Sequence, residues 1–170
     1  MLIVHFKFLP KKAEYFPLIS KGDIMAGIKT ELISLLNKAL ELEHAARIQY
    51  LTHAEFISGP NSEPIIARLK EIAGDEEKHE QMFRTIIADY LEGEPTMVLG
   101  KTIPAKEIPQ IFEINLKNER DAQDFYKQIY KTVVDNKKDL QYEFETLEHE
   151  LRHVIIDEQE HIVELTRLIK

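Results

Sequence analysis

The chain has 170 residues, 44% of them hydrophobic, with no cysteine and a formal net charge of −8. That length supplies one ordinary domain with its own core, and the lack of cysteine excludes a disulfide framework, a thiolate zinc site and cysteine-held iron centres. The acidic balance, with lysines dispersed among glutamates, argues against a nucleic-acid partner and leaves cations as the natural ones. The opening segment Met1 to Pro10 has no basic stretch ahead of its apolar residues and no small-residue cleavage site. No run approaches the roughly eighteen apolar residues of a membrane span. The expectation is a soluble, cytoplasmic protein with no membrane partner.

Residues 1–22 combine alternating apolar positions with Pro10 and Pro17. They read as an arm outside the main domain, either a disordered tail or a segment laid along a neighbouring surface. Residues 23–170 hold the domain. From about Asp23 to Ile57, apolar residues recur at Ile28, Leu32, Leu35, Ala39, Leu42, Ala46, Tyr50 and Ile57, which is helical spacing. Gly59-Pro60-Asn61-Ser62 ends that helix. A second runs from about Ser62 to Leu91 with Ile65, Leu69, Ile72, Phe83, Ile86 and Tyr90 on one face, and Gly93-Glu94-Pro95 stops it. A loop follows to about Ile108, long for a compact domain. It has a ready purpose in a four-helix bundle, where one long crossover sets the third helix parallel to the second. The third helix spans about Pro109 to Val134, Asp135 to Lys138 turn the chain, and the fourth runs from Asp139 to about Ile169 through Phe144, Leu147, Leu151, Val154, Ile155, Leu165 and Leu168. The predicted fold is all-α, an up-down-down-up bundle.

One constellation occurs twice. The first half carries Glu43-x-x-Ala46-x-x-x-Tyr50 and then Asp75-Glu76-x-x-His79; the second carries Glu119-x-x-Ala122-x-x-x-Tyr126 and then Asp157-Glu158-x-x-His161. On a helix, residues three apart lie about 60° apart on one face, and residues seven apart nearly superpose. A lone Glu-x-x-His carries little weight, because Glu41/His44 and Glu150/His153 repeat it and read as solvated faces. Glu76/His79 and Glu158/His161 differ in lying on apolar stripes, where an unpaired carboxylate is costly. Glu43 and Glu119 interrupt their stripes in the same way. Four carboxylates facing one core cannot all stay ionised without cations. Two divalent ions offset four negative charges, so the residues predict a dinuclear metal site. Glu76 and Glu158 bridge in that reading, Glu43 and Glu119 are terminal carboxylates, and His79 and His161 are terminal nitrogens. Such mixed ligation suits two iron ions, or manganese, and zinc can substitute for either.

Asp75 and Asp157 are candidate acceptors for the imidazole N–H groups. Tyr50 is a candidate donor to the site or one-electron relay, whereas Tyr126 reads equally as a core tyrosine with one hydrogen bond. His53 is either a core histidine or an accessory ligand. His44, His149 and His153 point away from the ligand face.

These residues resemble the ferritin-like superfamily, and among its members bacterioferritin. The segment Leu42 to Ala54 is similar to the bacterioferritin first helix, and Asp157-Glu158-Gln159-Glu160-His161-Ile162 to the end of its site. A Glu from each of two helices with Glu-x-x-His from the other two is the known di-iron pattern of that fold. Bacterioferritin's haem methionine would follow the first Glu-x-x-His glutamate directly. Here Glu77 stands there, so no haem is expected. The additional rubrerythrin glutamate is replaced by Ala122. Nine residues follow His161, too few for the fifth helix that builds 24-subunit shells, and Dps-like relatives with this site type usually carry a cysteine pair that is absent here. The resemblance therefore implies a homo-oligomer that is a dimer or a Dps-like dodecamer.

The function it implies is a ferroxidase for iron storage or detoxification, oxidising Fe(II) with O2 or H2O2. The alternatives are a rubrerythrin-like peroxidase or manganese catalase, an oxygenase, and a non-enzymatic bundle that metals only stabilise.

Overall fold

The computed structural model describes residues 21–169, and the bulk of the expected amino-terminal arm lies outside them. Among the described residues are helices α1 (Lys21–Phe56), α2 (Ser62–Thr85), α3 (Ile108–Asp135) and α4 (Phe144–Ile169), with a π turn, Ile86–Tyr90, closing α2. None is long and apolar enough to cross a membrane. Contacts give the directions. Glu43 meets Tyr126 while Tyr50 meets Glu119, so α1 and α3 are antiparallel. Arg68 reaches Glu164 while His79 reaches Asp157, so α2 and α4 are too. Arg47 pairs with Glu77 and Lys70 with Glu55, which makes α1 and α2 antiparallel. The bundle is therefore up-down-down-up, and α2 runs parallel to α3 as expected.

Turn chemistry accounts for the first connection. Gly59 (φ 108°) and Asn61 (φ 65°) occupy the left-handed region that these two residues tolerate best. The end of α2 departs from simple periodicity. Leu91 N–H donates to Ile86 C=O at 3.0 Å and Gly93 N–H to Ile87 C=O at 2.7 Å. The wide turn advances the buried face, so Ile86, Ile87 and Leu91 are buried and Tyr90, expected on that face, is exposed. Leu168 near the end of α4 is exposed as well. The α3–α4 connection is longer than the expected Asp135–Lys138 turn. Leu140 dips fully into the core and its C=O accepts from Phe144 N–H at 3.0 Å, which delays α4 to Phe144.

The crossover, residues 92–107, climbs α1 along a line of hydrogen bonds. The Asn37 amide brackets it, donating to Glu94 C=O (3.0 Å) and accepting from Thr96 N–H (2.7 Å). His44 Nδ1–H donates to Val98 C=O (2.8 Å), Gly100 N–H to Glu41 C=O (2.9 Å), and Ile103 N–H to Gln49 Oε1 (2.7 Å). These bonds satisfy backbone that no helix partners. Gly100 is the closest approach: a Cβ there would lie 2.6 Å from Glu41 O. Gly100→Ala is expected to destabilise the protein by about 1–3 kcal/mol, read as a lower midpoint in urea. An unchanged midpoint would show that the crossover shifts without cost.

The core has two apolar layers. Leu32, Leu36, Leu40, Phe83, Tyr126, Ile129, Val133, Leu147 and Leu151 form one, and Ala54, Ile57, Leu69, Ile72, Ile111, Phe112 and Leu165 belong to the other. Between them, at mid-bundle, sits a layer of buried acids and histidines.

Candidate metal centre

Each helix contributes to the polar layer. Glu43 comes from α1, Glu76 and His79 from α2, Glu119 from α3, Glu158 and His161 from α4, and all six are buried. The residues that their own helical stripes align are thus brought to one place by the bundle. Their donor atoms fall into two groups: Glu43, Glu76, His79 and Glu158, and Glu76, Glu119, Glu158 and His161. Within each group the atoms lie within 4.8 Å of one another. Glu76 and Glu158 belong to both. His79 turns Nδ1 to the cluster, 3.1 Å from Glu76 Oε2 and 3.4 Å from Glu158 Oε1. His161 Nδ1 stands 3.6 Å from Glu76, Glu119 and Glu158 oxygens. Three atoms aimed inward, Glu76 Oε1, Glu158 Oε2 and His161 Nδ1, are buried without a hydrogen-bond partner in the protein. Such orphans are costly unless something else satisfies them. Their number, chemistry and convergence fit cations.

The outer contacts cross between the halves. His79 Nε2 lies 3.3 Å from Asp157 Oδ2, and His161 Nε2 lies 3.6 Å from Asp75 Oδ2. Each aspartate thus serves the other half's histidine, and an Nε2–H directed at it leaves the Nδ1 lone pair free for the cluster. Tyr126 O–H donates to Glu43 Oε1 at 2.6 Å and Tyr50 O–H donates to Glu119 Oε1. The sequence favours Tyr50 over Tyr126 as a site residue, yet the geometry gives the two equivalent places. Each bond holds the carboxylate of Glu43 or Glu119 in one orientation, a charge-assisted contact of about 1.5–3 kcal/mol.

Crowding sets the protonation. Burial, followed by the charges of neighbouring glutamates, pushes the Glu76 and Glu158 carboxyls well above their usual range. Burial would raise Glu119 too, but the neighbouring Glu158 and His161 and the hydrogen bond from Tyr50 hold it low. Burial would lower His161, and the close Glu119 carboxylate, 3.6 Å from Nδ1, together with the charge of Glu76 instead carries it up to about 9. His79 is raised in the same manner, burial being outweighed by its carboxylate neighbours Asp157, Glu158, Glu43 and Glu76. Without cations, then, the cluster keeps itself neutral by holding protons.

His53 lies outside the cluster. Nε2–H donates to Ile103 C=O (3.0 Å) and Nδ1 accepts from Asn115 Nδ2 (3.1 Å), while Asn115 Oδ1 accepts from Gln49 Nε2 (2.8 Å). Both ring nitrogens are used, so His53 is a core histidine that ties crossover to bundle. Burial lowers its pKa. Sequence reasoning passed over Asn115, although it sits one turn before Glu119 on the same face. His44 is not on a solvated face, because the crossover covers it and Arg84 donates to its Nε2. Glu80, also passed over, is buried between Arg47 Nε (3.0 Å) and Arg84 (2.9 Å). Glu77 is exposed and pairs with Arg47 at 2.7 Å.

A cavity of about 140 Å³ opens onto the cluster between α1 and α3. The four glutamates form its floor, the small side chains of Ala46 and Ala122 flank it, and Lys101 and Asn118 line it further out. The two alanines occupy matching places in the two half-motifs, three residues after Glu43 and Glu119, so the repeat that supplies the acids also leaves room above them.

Residues 33–170 match the family model described as Ferritin-like domain. Over 104 residues the chain is 32% identical to a bacterioferritin of Desulfovibrio desulfuricans, covering 61% of this chain and 58% of that relative. A solved structure of D. desulfuricans bacterioferritin, with its diiron site in different catalytic states, superposes with a TM-score of 0.75 at 26% identity over 85% of this chain and 81% of that one. A ferritin-like, diiron-carboxylate protein from Bacillus anthracis gives a TM-score of 0.77 at 24% identity, covering 84% of this chain and 98% of that one. A bacterioferritin of Rhodobacter capsulatus, with a metal-free dinuclear site and a heme iron, gives 0.71 at 22% over 82% and 84%. The last two likenesses bear on fold alone.

Proposed function

This chain belongs to the ferritin-like domain family, and on that premise we propose that it is a ferroxidase that takes two Fe(II) ions as substrate and passes their electrons to O2 or H2O2. The observation that carries the reading is the pair of four-donor groups sharing Glu76 and Glu158. Two Fe(II) supply two electrons, which reduce O2 with two protons to H2O2, or H2O2 with two protons to two waters. Glu43 and His79 hold one ion and Glu119 and His161 the other, while Glu76 and Glu158 span both. Tyr50 and Tyr126 keep the terminal carboxylates oriented, and the two aspartates keep each imidazole proton on Nε2. The apolar layers above and below exclude bulk water. The cavity between α1 and α3 admits a molecule as small as O2 or peroxide. The protein works as a homo-oligomer, a dimer or a Dps-like dodecamer.

An anaerobic Fe(II) titration followed by oxidant tests this reading, with oxidised and soluble iron counted per chain. Oxidation continuing well past two irons with the product in solution supports ferroxidase storage. Oxidation that stops at two moves the assignment to rubrerythrin-like peroxidase or oxygenase chemistry. Binding without oxidation leaves a metal-stabilised bundle.

A further inference from the structure

We propose that His149 and His153 form a second metal site, on the outer face of α4, for a borderline divalent ion such as Cu(II), Ni(II) or Zn(II). The inference stands apart from the ferroxidase reading. Both residues are exposed and sit one helical turn apart. Their ring centroids are 4.4 Å apart, with planes inclined at 55°. Two imidazoles that bind one ion through nitrogens at about 2.0–2.1 Å, at right angles about it, bring their ring centres to roughly 4.5 Å. The pair already has the spacing of a bis-imidazole chelate, and water can complete the coordination from the open side.

The histidines at the core and under the crossover have other work: His44 and His53 clamp the crossover, and His79 and His161 face the buried cluster. His149 and His153 face each other instead. Two imidazoles at that separation offer the nitrogen donor set that borderline ions prefer. Donor chemistry separates the two sites. The buried centre is mostly carboxylate, and the surface pair is all nitrogen, so by the usual affinity order the pair takes Cu(II), Ni(II) or Zn(II) ahead of Fe(II). The next turn along α4 carries Asp157, whose half-exposed carboxylate touches His79. An ion held by the pair thus sits one turn from the outer partner of the buried centre.

The test is equilibrium dialysis of the full-length chain against Ni(II), with Cu(II) electron paramagnetic resonance at one ion per chain, on the parent, on His149→Ala, on His153→Ala and on the double variant Glu76→Ala/His79→Ala. The parent and the double variant lacking the buried ligands are both expected to bind one ion beyond the buried centre, with a two-nitrogen copper signal. Either surface substitution should weaken that ion at least about tenfold while Fe(II) oxidation is unchanged. Equal ion counts and spectra in the parent and the two surface variants would overturn the proposal. So would loss of the extra ion in Glu76→Ala/His79→Ala, which would assign it to the buried centre.

Discussion

Glu158→Gln is expected to slow rapid Fe(II) oxidation by at least ~100-fold without lowering the stability of the metal-free protein. Glu158 belongs to both four-donor groups, so on the proposed ferroxidase reading its neutral isostere would remove a shared anionic ligand from both ions at once. A terminal ligand such as Glu43 touches one group only, and its loss should cost less. Stability should move the other way. In the metal-free protein burial and the neighbouring glutamates already keep the Glu158 carboxyl protonated well above its usual range, and glutamine imitates that neutral form. The variant should therefore match the parent only in acid, at or below the ordinary carboxyl range, and exceed it increasingly as pH rises above that range, because the unfolded parent ionises this carboxyl while the folded parent must keep it protonated. Stopped-flow oxidation and calorimetry of metal-free protein measure the two effects. A parent-like oxidation rate would remove Glu158 from the centre, and a large loss of metal-free stability would mean that the carboxylate layer holds the bundle together by itself.

Metal-free protein is expected to lose stability from about pH 6.5 to about 9, and metal-loaded protein to keep it. The folded state lifts His161 from an ordinary value near 6.5 to about 9. A raised pKa means that the folded state binds the proton more tightly, so its contribution is complete below 6.5 and fades as pH climbs to 9. Glu76, Glu158 and His79 are raised too and act with the same sign. Glu119 and His53 are lowered, but their contributions vary only below their ordinary values, outside this window. Metal ions replace the displaced protons, so affinity should rise across the same range. At a free metal concentration of one hundred times Kd the gain is about 2.7 kcal/mol. Calorimetric midpoints with and without Co(II), a redox-quiet probe, at several pH values between 6.5 and 8.5 measure the difference, and a chelator should reverse it. A metal-induced gain that shrinks with rising pH would contradict the proton-filled cluster.

Much of this protein was legible in local sequence because helical periodicity is local. Acids at Glu43, Glu76, Glu119 and Glu158 stand on apolar stripes, and only a buried charge-compensated use accounts for that; hence the bundle, its long crossover and the six converging side chains could be read from spacing. Tertiary structure decided what depends on which helices are neighbours. The crossed pairs His79 with Asp157 and His161 with Asp75, and the equivalence of Tyr50 and Tyr126, join residues of different helices far apart in the chain. The end of α2 escaped the periodic reading because one π turn shifts the face, burying Leu91 and exposing Tyr90. His53 was undecidable alone, since its role comes from Ile103 on the crossover and Asn115 on α3. The cavity under Ala46 and Ala122 exists because α1 and α3 meet with small side chains on both sides, a property of their packing that neither helix carries by itself.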